Sequence, residues 1–289
     1  MVESENGSRS PLRFLLTIFF ITIVPLAIGL YLAPQLIPQP QVGVIRLSGD
    51  IYSYSTYEVV EQLAYARQHP SVKAVVLVIN SPGGSASHSE ELFLAVLNAR
   101  QDMPVVASVD VVAASGAYYM AVAADEIYAK PTSFVGSVGV IASLPGDVFI
   151  EDDLLTSGPY KGFGGTRDGT VRQIEQAKFS FLEAVRVGRG ERLDMGLDVL
   201  SRAEVYSGVQ SLRFGLVDGL AATDEAIRRA AELVGLARYE VVELYPLALG
   251  DETAVYTFRP PALDPDQLWA NPTNLPTGIY YRYLAPPQQ

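Results

Sequence analysis

Residues 14–33 (FLLTIFFITIVPLAIGLYLA) are a run of 20 residues without a charge. The run is apolar on every face, so it lacks the polar stripe that a water-exposed helix needs. At about 1.5 Å per residue, a helix of that length covers about 30 Å, the thickness of a bilayer's hydrocarbon core. Pro25 lies inside it, which a lipid-embedded helix tolerates. A cleavable leader is the competing reading. Its apolar region is normally shorter and closes on an A-x-A-like site, and neither feature is clear here. A retained anchor over residues 14–36 is therefore the favoured reading. Arg9 and Arg13 flank the run on its N-terminal side, and the first basic residue beyond it is Arg46. The positive-inside rule then puts the tail, residues 1–13, in the cytoplasm and the rest outside a cell membrane crossed once.

Composition narrows what that outer part can be. The chain has 289 residues, 49% of them hydrophobic, which is enough for one large domain and excludes general disorder. A net charge of −11 and a pI near 4.7 argue against nucleic acid as a partner. The absence of cysteine excludes disulfides, a thiol nucleophile and Cys-ligated metals. No metal-ligand cluster or phosphate-binding fingerprint is present, so neither a metal nor a cofactor is expected. The two histidines, His69 and His88, and the four lysines, Lys73, Lys130, Lys161 and Lys178, are the whole supply of such bases.

The proline-rich PQLIPQPQ, residues 34–41, reads as a short stiff spacer, and the linker between anchor and domain is taken as residues 37–42. Strands are expected at 42–47, 72–79, 104–109, 126–129 and 136–141. Helices are expected at 56–68, with Val59, Val60, Leu63 and Ala64 on one side, and at 87–100, 116–124, 170–189 and 224–236. Val72–Ile79 (VKAVVLVI) is a β-branched run of the kind buried on both faces of a parallel sheet. It ends in a turn signal, Asn80-Ser81-Pro82-Gly83-Gly84. The alternation predicts an α/β domain over residues 43–245, with a mostly parallel sheet. A glycine-rich loop is expected at 162–169, and residues 246–289 read as an extended proline-rich arm.

Ser115, in AASGAYY, follows a strand and opens a helix. Its small neighbours would let a substrate backbone approach, and a helix start favours developing negative charge. A plain N-cap is the blander role and, on this heptapeptide alone, the commoner one. The pattern is not the G-x-S-x-G elbow of an α/β-hydrolase. No histidine follows Ser115, and His88 reads first as a solvated helix residue. Lysine can also activate serine, provided it is deprotonated; that takes a fall of about three units from 10.4, close to 4 kcal/mol, and hence desolvation. Lys161 sits among glycine, proline and aromatics, with no other charge from Leu154 to Gly164. Gly83 and Gly84 could free backbone amides to face a ligand. Each signal is weak by itself.

Together, in the order strand-NSPGG, AASGxYY, ADxIYA, GSxGV and SGxYK, these motifs resemble the signal peptide peptidase A family of serine proteases. They stand here at Asn80–Gly84, Ala113–Tyr119, Ala124–Ala129, Gly136–Val140 and Ser157–Lys161. The resemblance covers roughly residues 43–236. It implies a Clp/crotonase-like ββα spiral, a Ser–Lys dyad with Ser115 as nucleophile and Lys161 as base, and an oxyanion hole at Gly83-Gly84 helped by the Gly116 amide. It also implies a lysine-orienting role for Ser137, a homo-oligomeric ring, and peptide substrates such as signal-peptide remnants and other short or unfolded chains. Two departures stand out. Ala117 occupies a position where the family has glycine, and the stretch Gly164–Gly169 is short and loop-like. A crotonase-like acyl-CoA enzyme is the alternative of the same fold, disfavoured by an external location. A non-catalytic membrane scaffold is the alternative from another class.

Overall fold

The computed structural model describes residues 11–36, 39–143, 157, 158, 160, 161, 165–250 and 278–282. Two compact units divide at Pro40/Gln41. The first is helical: α1 (Pro11–Ile18), a π-helical turn (Phe19–Ile23) and α2 (Val24–Leu36). Pro25 cannot donate to the carbonyl four residues back, and its ring crowds that turn. The helix widens there, and the Val24 N–H reaches back five residues to the Phe19 carbonyl. Phe14–Tyr31 is, among the described residues, long and apolar enough to cross a membrane.

The second unit opens with β1 (Gln41–Ser48), α3 (Ser53–Gln68), β2 (Val72–Ser81), β3 (Gly83–Ser85) and α4 (Ala86–Ala99). It continues with β4 (Val105–Ala114), α5 (Gly116–Ala121), β5 (Glu126–Ala129), β6 (Phe134–Gly136) and β7 (Ile141–Ser143). Then come α6 (Arg167–Arg189), α7 (Leu197–Leu200), β8 (Val205–Ser207), α8 (Gly208–Arg213) and β9 (Gly219–Leu220). It closes with α9 (Thr223–Leu233), β10 (Glu240–Glu243), α10 (Leu244–Leu249) and β11 (Gly278–Arg282). The larger sheet runs β10-β1-β2-β4-β5-β9, all parallel. The long strand β4 outruns β5. Its first half pairs β5, and Val112–Ala114 pairs β6, which carries antiparallel β8. The sheet therefore splits along β4, as a spiral of parallel turns requires.

Both faces of β2 are covered, which is why it reads as an unbroken apolar run. Val75, Leu77 and Ile79 join the core under α3, α4 and α5, while Ala74, Val76 and Val78 pack against Ala226, Ile227, Ala230 and Ala231 of α9.

Several expectations shift. α3 starts at Ser53 and buries Thr56, Val59, Gln62, Leu63 and Ala66, with Val60 half-buried against the same core and Ala64 half-buried. The NSPGG signal is not a simple turn: β2 continues to Ser81, and Gly83–Ser85 is a strand of a second sheet. The strand expected at 136–141 is two strands, β6 and β7, on either side of residues 137–140. After residue 246, where an extended arm was expected, α10 extends to Leu249 with Leu244 buried against β1, and Gly278–Arg282 is a strand. The rest of that arm, and residues 162–164 of the expected loop, lie outside the described residues.

Candidate active site

The site grows from the end of β4. Strand geometry stops at Ala114, and helix α5 begins at Gly116. Ser115 between them has φ 55 and ψ −124, a conformation an L-residue adopts at a cost of about 1–2 kcal/mol. Its backbone is pinned on both sides. The Ser115 N–H donates to the Gly136 carbonyl at 2.8 Å, and its own carbonyl accepts from the Tyr119 N–H at 2.9 Å. The hydroxyl, in contrast, is buried and has no hydrogen-bond partner among the described residues. It makes no capping bond although it stands at the N-cap position. The bland role of a helix cap is therefore not what this serine performs. A strained junction and an unsatisfied buried hydroxyl, worth about 1–3 kcal/mol, are held here by the surroundings.

Those surroundings are α5 itself, buried at all six positions. The Tyr118 hydroxyl donates to the Leu216 carbonyl at 2.8 Å. Burial pushes that phenol far above its ordinary value, so it remains a donor. The Tyr119 ring stacks on Phe93 at 4.9 Å and meets the edge of Phe181 at 4.9 Å. Burial, with Glu90 nearby, pushes its hydroxyl up to about 12. The methyl of Ala117, where the family pattern has glycine, is taken into the core.

Register brings the other motifs to the same level. Ser81 lies opposite Ala113, and Ala114 opposite Gly136. Ser115 and Ser137 each follow directly on one of these two paired strand ends. Ser137 is also buried with φ 54, and its N–H donates to the Glu204 carbonyl at 2.8 Å. On the other flank, Gly83 has φ 98, and its N–H donates to Ser81 Oγ at 3.2 Å. Gly84 must be glycine for space, because a Cβ there would lie 2.1 Å from the Ile51 carbonyl oxygen. Gly116 is the first helical residue, where an amide has no acceptor within the helix.

Lys161 makes no hydrogen bond to the Ser115 hydroxyl. It is exposed in the single chain, in a turn whose Lys161 N–H donates to the Gly158 carbonyl at 3.2 Å. Its immediate neighbours Pro159 and residues 162–164 lie outside the described residues. His88, in the first turn of α4, has a solvent-shielded Nδ1 without a partner among the described residues. Sequence reasoning gave Ser81 no part, since a serine before proline carries no mark of holding an amide two residues on.

A ClpP-like spiral carrying a strained serine at a strand–helix junction is the class that the fold and site define. Residues 40–135 match the family profile of Clp protease. The solved structure of the membrane-bound stomatin-specific protease 1510-N aligns with a TM-score of 0.50 at 15% identity, over 72% of this chain and 98% of that one, a likeness of fold. Residues 98–237 match the profile of Peptidase family S49. Protease 4 of Salmonella typhi is 31% identical over 194 residues, 62% of this chain and 31% of that protein. A putative protease of Methanocaldococcus jannaschii is 30% identical over 187 residues, 60% of each chain. The putative signal peptide peptidase SppA of Enterococcus faecium is 28% identical over 206 residues, 64% of this chain and 59% of that protein. The chain thus spans less than two thirds of the length of each of these curated relatives.

Proposed function

We propose that this protein is a serine endopeptidase anchored by its N-terminal helix, with Ser115 as nucleophile and Lys161 as general base. The observation that carries the reading is the Ser115 hydroxyl: buried, without a partner among the described residues, and held at a positive φ between a strand and a helix. Conformations of this cost persist where a site needs them. The curated relatives named as proteases support the same assignment.

In the reaction, neutral Lys161 takes the Ser115 hydroxyl proton while Ser115 Oγ attacks a peptide carbonyl. The amides of Gly116 and the Gly83-Gly84 strand stabilise the oxyanion, and Ser137, which follows β6 as Ser115 follows β4, orients the lysine amine. The amine then passes its proton to the leaving nitrogen. It later activates the water that releases the acyl group. Lys161 is exposed in one chain, so the dry surroundings a lysine base needs come from bound peptide or from an adjacent copy in a ring. Substrates are signal-peptide remnants and other short or unfolded chains. The positive-inside rule, applied to Arg9 and Arg13, supports a catalytic unit outside the cytoplasm.

The test is peptide hydrolysis by the full chain in detergent. Ser115→Ala and Lys161→Ala should each abolish turnover while the fold and the oligomer persist. Full activity in Lys161→Ala removes the dyad.

A further inference from the structure

An oxyanion hole needs a main-chain amide that no strand has claimed, and the corner after β2 offers few. Pro82 carries no N–H. The Ser85 N–H donates to the Ile51 carbonyl at 2.9 Å, and the Ile51 N–H donates to the Gly83 carbonyl at 2.9 Å. Alternation along β3 then turns the N–H and carbonyl of Gly84 to the opposite edge, where Tyr281 of β11 lies across from it. Between Pro82 and Ser85 this leaves the Gly83 N–H. At φ 98 that N–H is rotated out of line with its own carbonyl, away from the Ile51 edge. It donates instead to Ser81 Oγ, two residues back, at 3.2 Å.

Ser81 is fully buried and is the last residue of β2. It pairs with Ala113, which joins the core beneath α5 together with Ala117 and Tyr118. Paired residues on neighbouring strands face the same side of a sheet, so the Ser81 hydroxyl lies on the side from which α5 starts. Gly83 and Ser115 each follow two residues after this pair. Glycine leaves the Pro82-Gly83 peptide plane free to turn over by rotation on either side of it. Turned over, it would present the Pro82 carbonyl oxygen, which repels an oxyanion. The bond to Ser81 Oγ holds the plane with its donor outward. At 3.2 Å it is at the long end for such a bond, and its acceptor is neutral. A bond to an ionised oxygen is about twice as strong, so an oxyanion takes the N–H over from the hydroxyl.

We propose that Ser81 is a positioning residue for oxyanion stabilisation: its hydroxyl holds the Gly83 N–H ready in the empty site and cedes it as the tetrahedral intermediate forms. This rests on the peptidase reading for its consequence, whereas the hold on the amide is a structural statement that needs no catalysis.

The experiment has an exchange arm and a turnover arm. In the full chain carrying Ser115→Ala, isotope labels on proline carbonyls and glycine nitrogens select the amides of the two Pro-Gly pairs, Gly83 and Gly146, by nuclear magnetic resonance, and Gly146→Ala tells them apart. Adding Ser81→Ala should speed exchange of the Gly83 amide with solvent about ten-fold or more, and Ser81→Thr, which keeps the oxygen, should not. With Ser115 intact, Ser81→Ala should lower kcat for a peptide substrate about ten-fold or more while KM stays within about two-fold, and Ser81→Thr should recover most of the loss. Unchanged Gly83 exchange in Ser81→Ala overturns the proposal. So does an unchanged kcat, a loss that falls on KM instead, or a loss that the threonine variant shares. A parent protein that cleaves no peptide removes the peptidase reading, and the exchange arm still decides whether Ser81 holds the amide.

Discussion

Replacing Ser115 should make the protein more stable while making it inert. Two costs are stored at this residue. The hydroxyl is buried without a partner among the described residues, and its removal in Ser115→Ala should return about 1–2 kcal/mol of the desolvation penalty. The backbone at φ 55 adds about 1–2 kcal/mol of strain that alanine keeps and glycine does not. Glycine in turn loses about 0.5–1 kcal/mol through the freedom of its unfolded chain. Ser115→Gly should therefore exceed Ser115→Ala by a further ~0.5–1 kcal/mol. For a unit of this size, about 2–4 °C per kcal/mol applies. The alanine variant should melt about 2–8 °C above the parent and the glycine variant about 1–4 °C higher still. The assay is thermal unfolding of the full chain in one detergent, followed by tyrosine near-ultraviolet circular dichroism. An alanine variant that melts below the parent would show that the hydroxyl has a partner in the intact protein. A glycine variant no better than alanine would show that the junction is not strained.

Two further outcomes test the frame around the site. Gly84→Ala places a methyl 2.1 Å from the Ile51 carbonyl oxygen, so β3 must move away from Ile51; urea unfolding should show a loss of about 1–3 kcal/mol, and peptidase activity should fall with it. Buried Arg189 bonds Asp218 at 2.8 Å through both nitrogens of its fork, and Asp218→Ala should cost about 3–5 kcal/mol by stranding that charge. Burial pushes the Asp218 carboxyl up, but Arg189, the Ile127 N–H and Arg192 outweigh it and hold it below its ordinary 3.8. The pair's stability is thus complete above that value and is lost as pH falls below it toward the folded-state pKa; parent urea midpoints should drop there, and Asp218→Asn should flatten the acid limb.

Much of this protein is legible along the chain because the physics is local. The uncharged run from Phe14, the doubly buried β2 and the helices α4, α6 and α9 follow from periodicity and polarity, which neighbours in sequence decide. Gly83 reads as a backbone need and does take a positive φ. What the sequence could not show is long-range pairing. Nothing near Ser115 says that its hydroxyl finds no partner among the described residues, or that the strand it ends pairs with the strand before Ser137, which is set by the register of β4 on β6. Nothing in a proline-rich tail says that Gly278–Arg282 seats itself between β3 and β7, about 140 residues or more away in sequence. A strand needs a partner edge, and which edge it finds is settled by where the rest of the chain has already put one; that choice belongs to the tertiary structure alone.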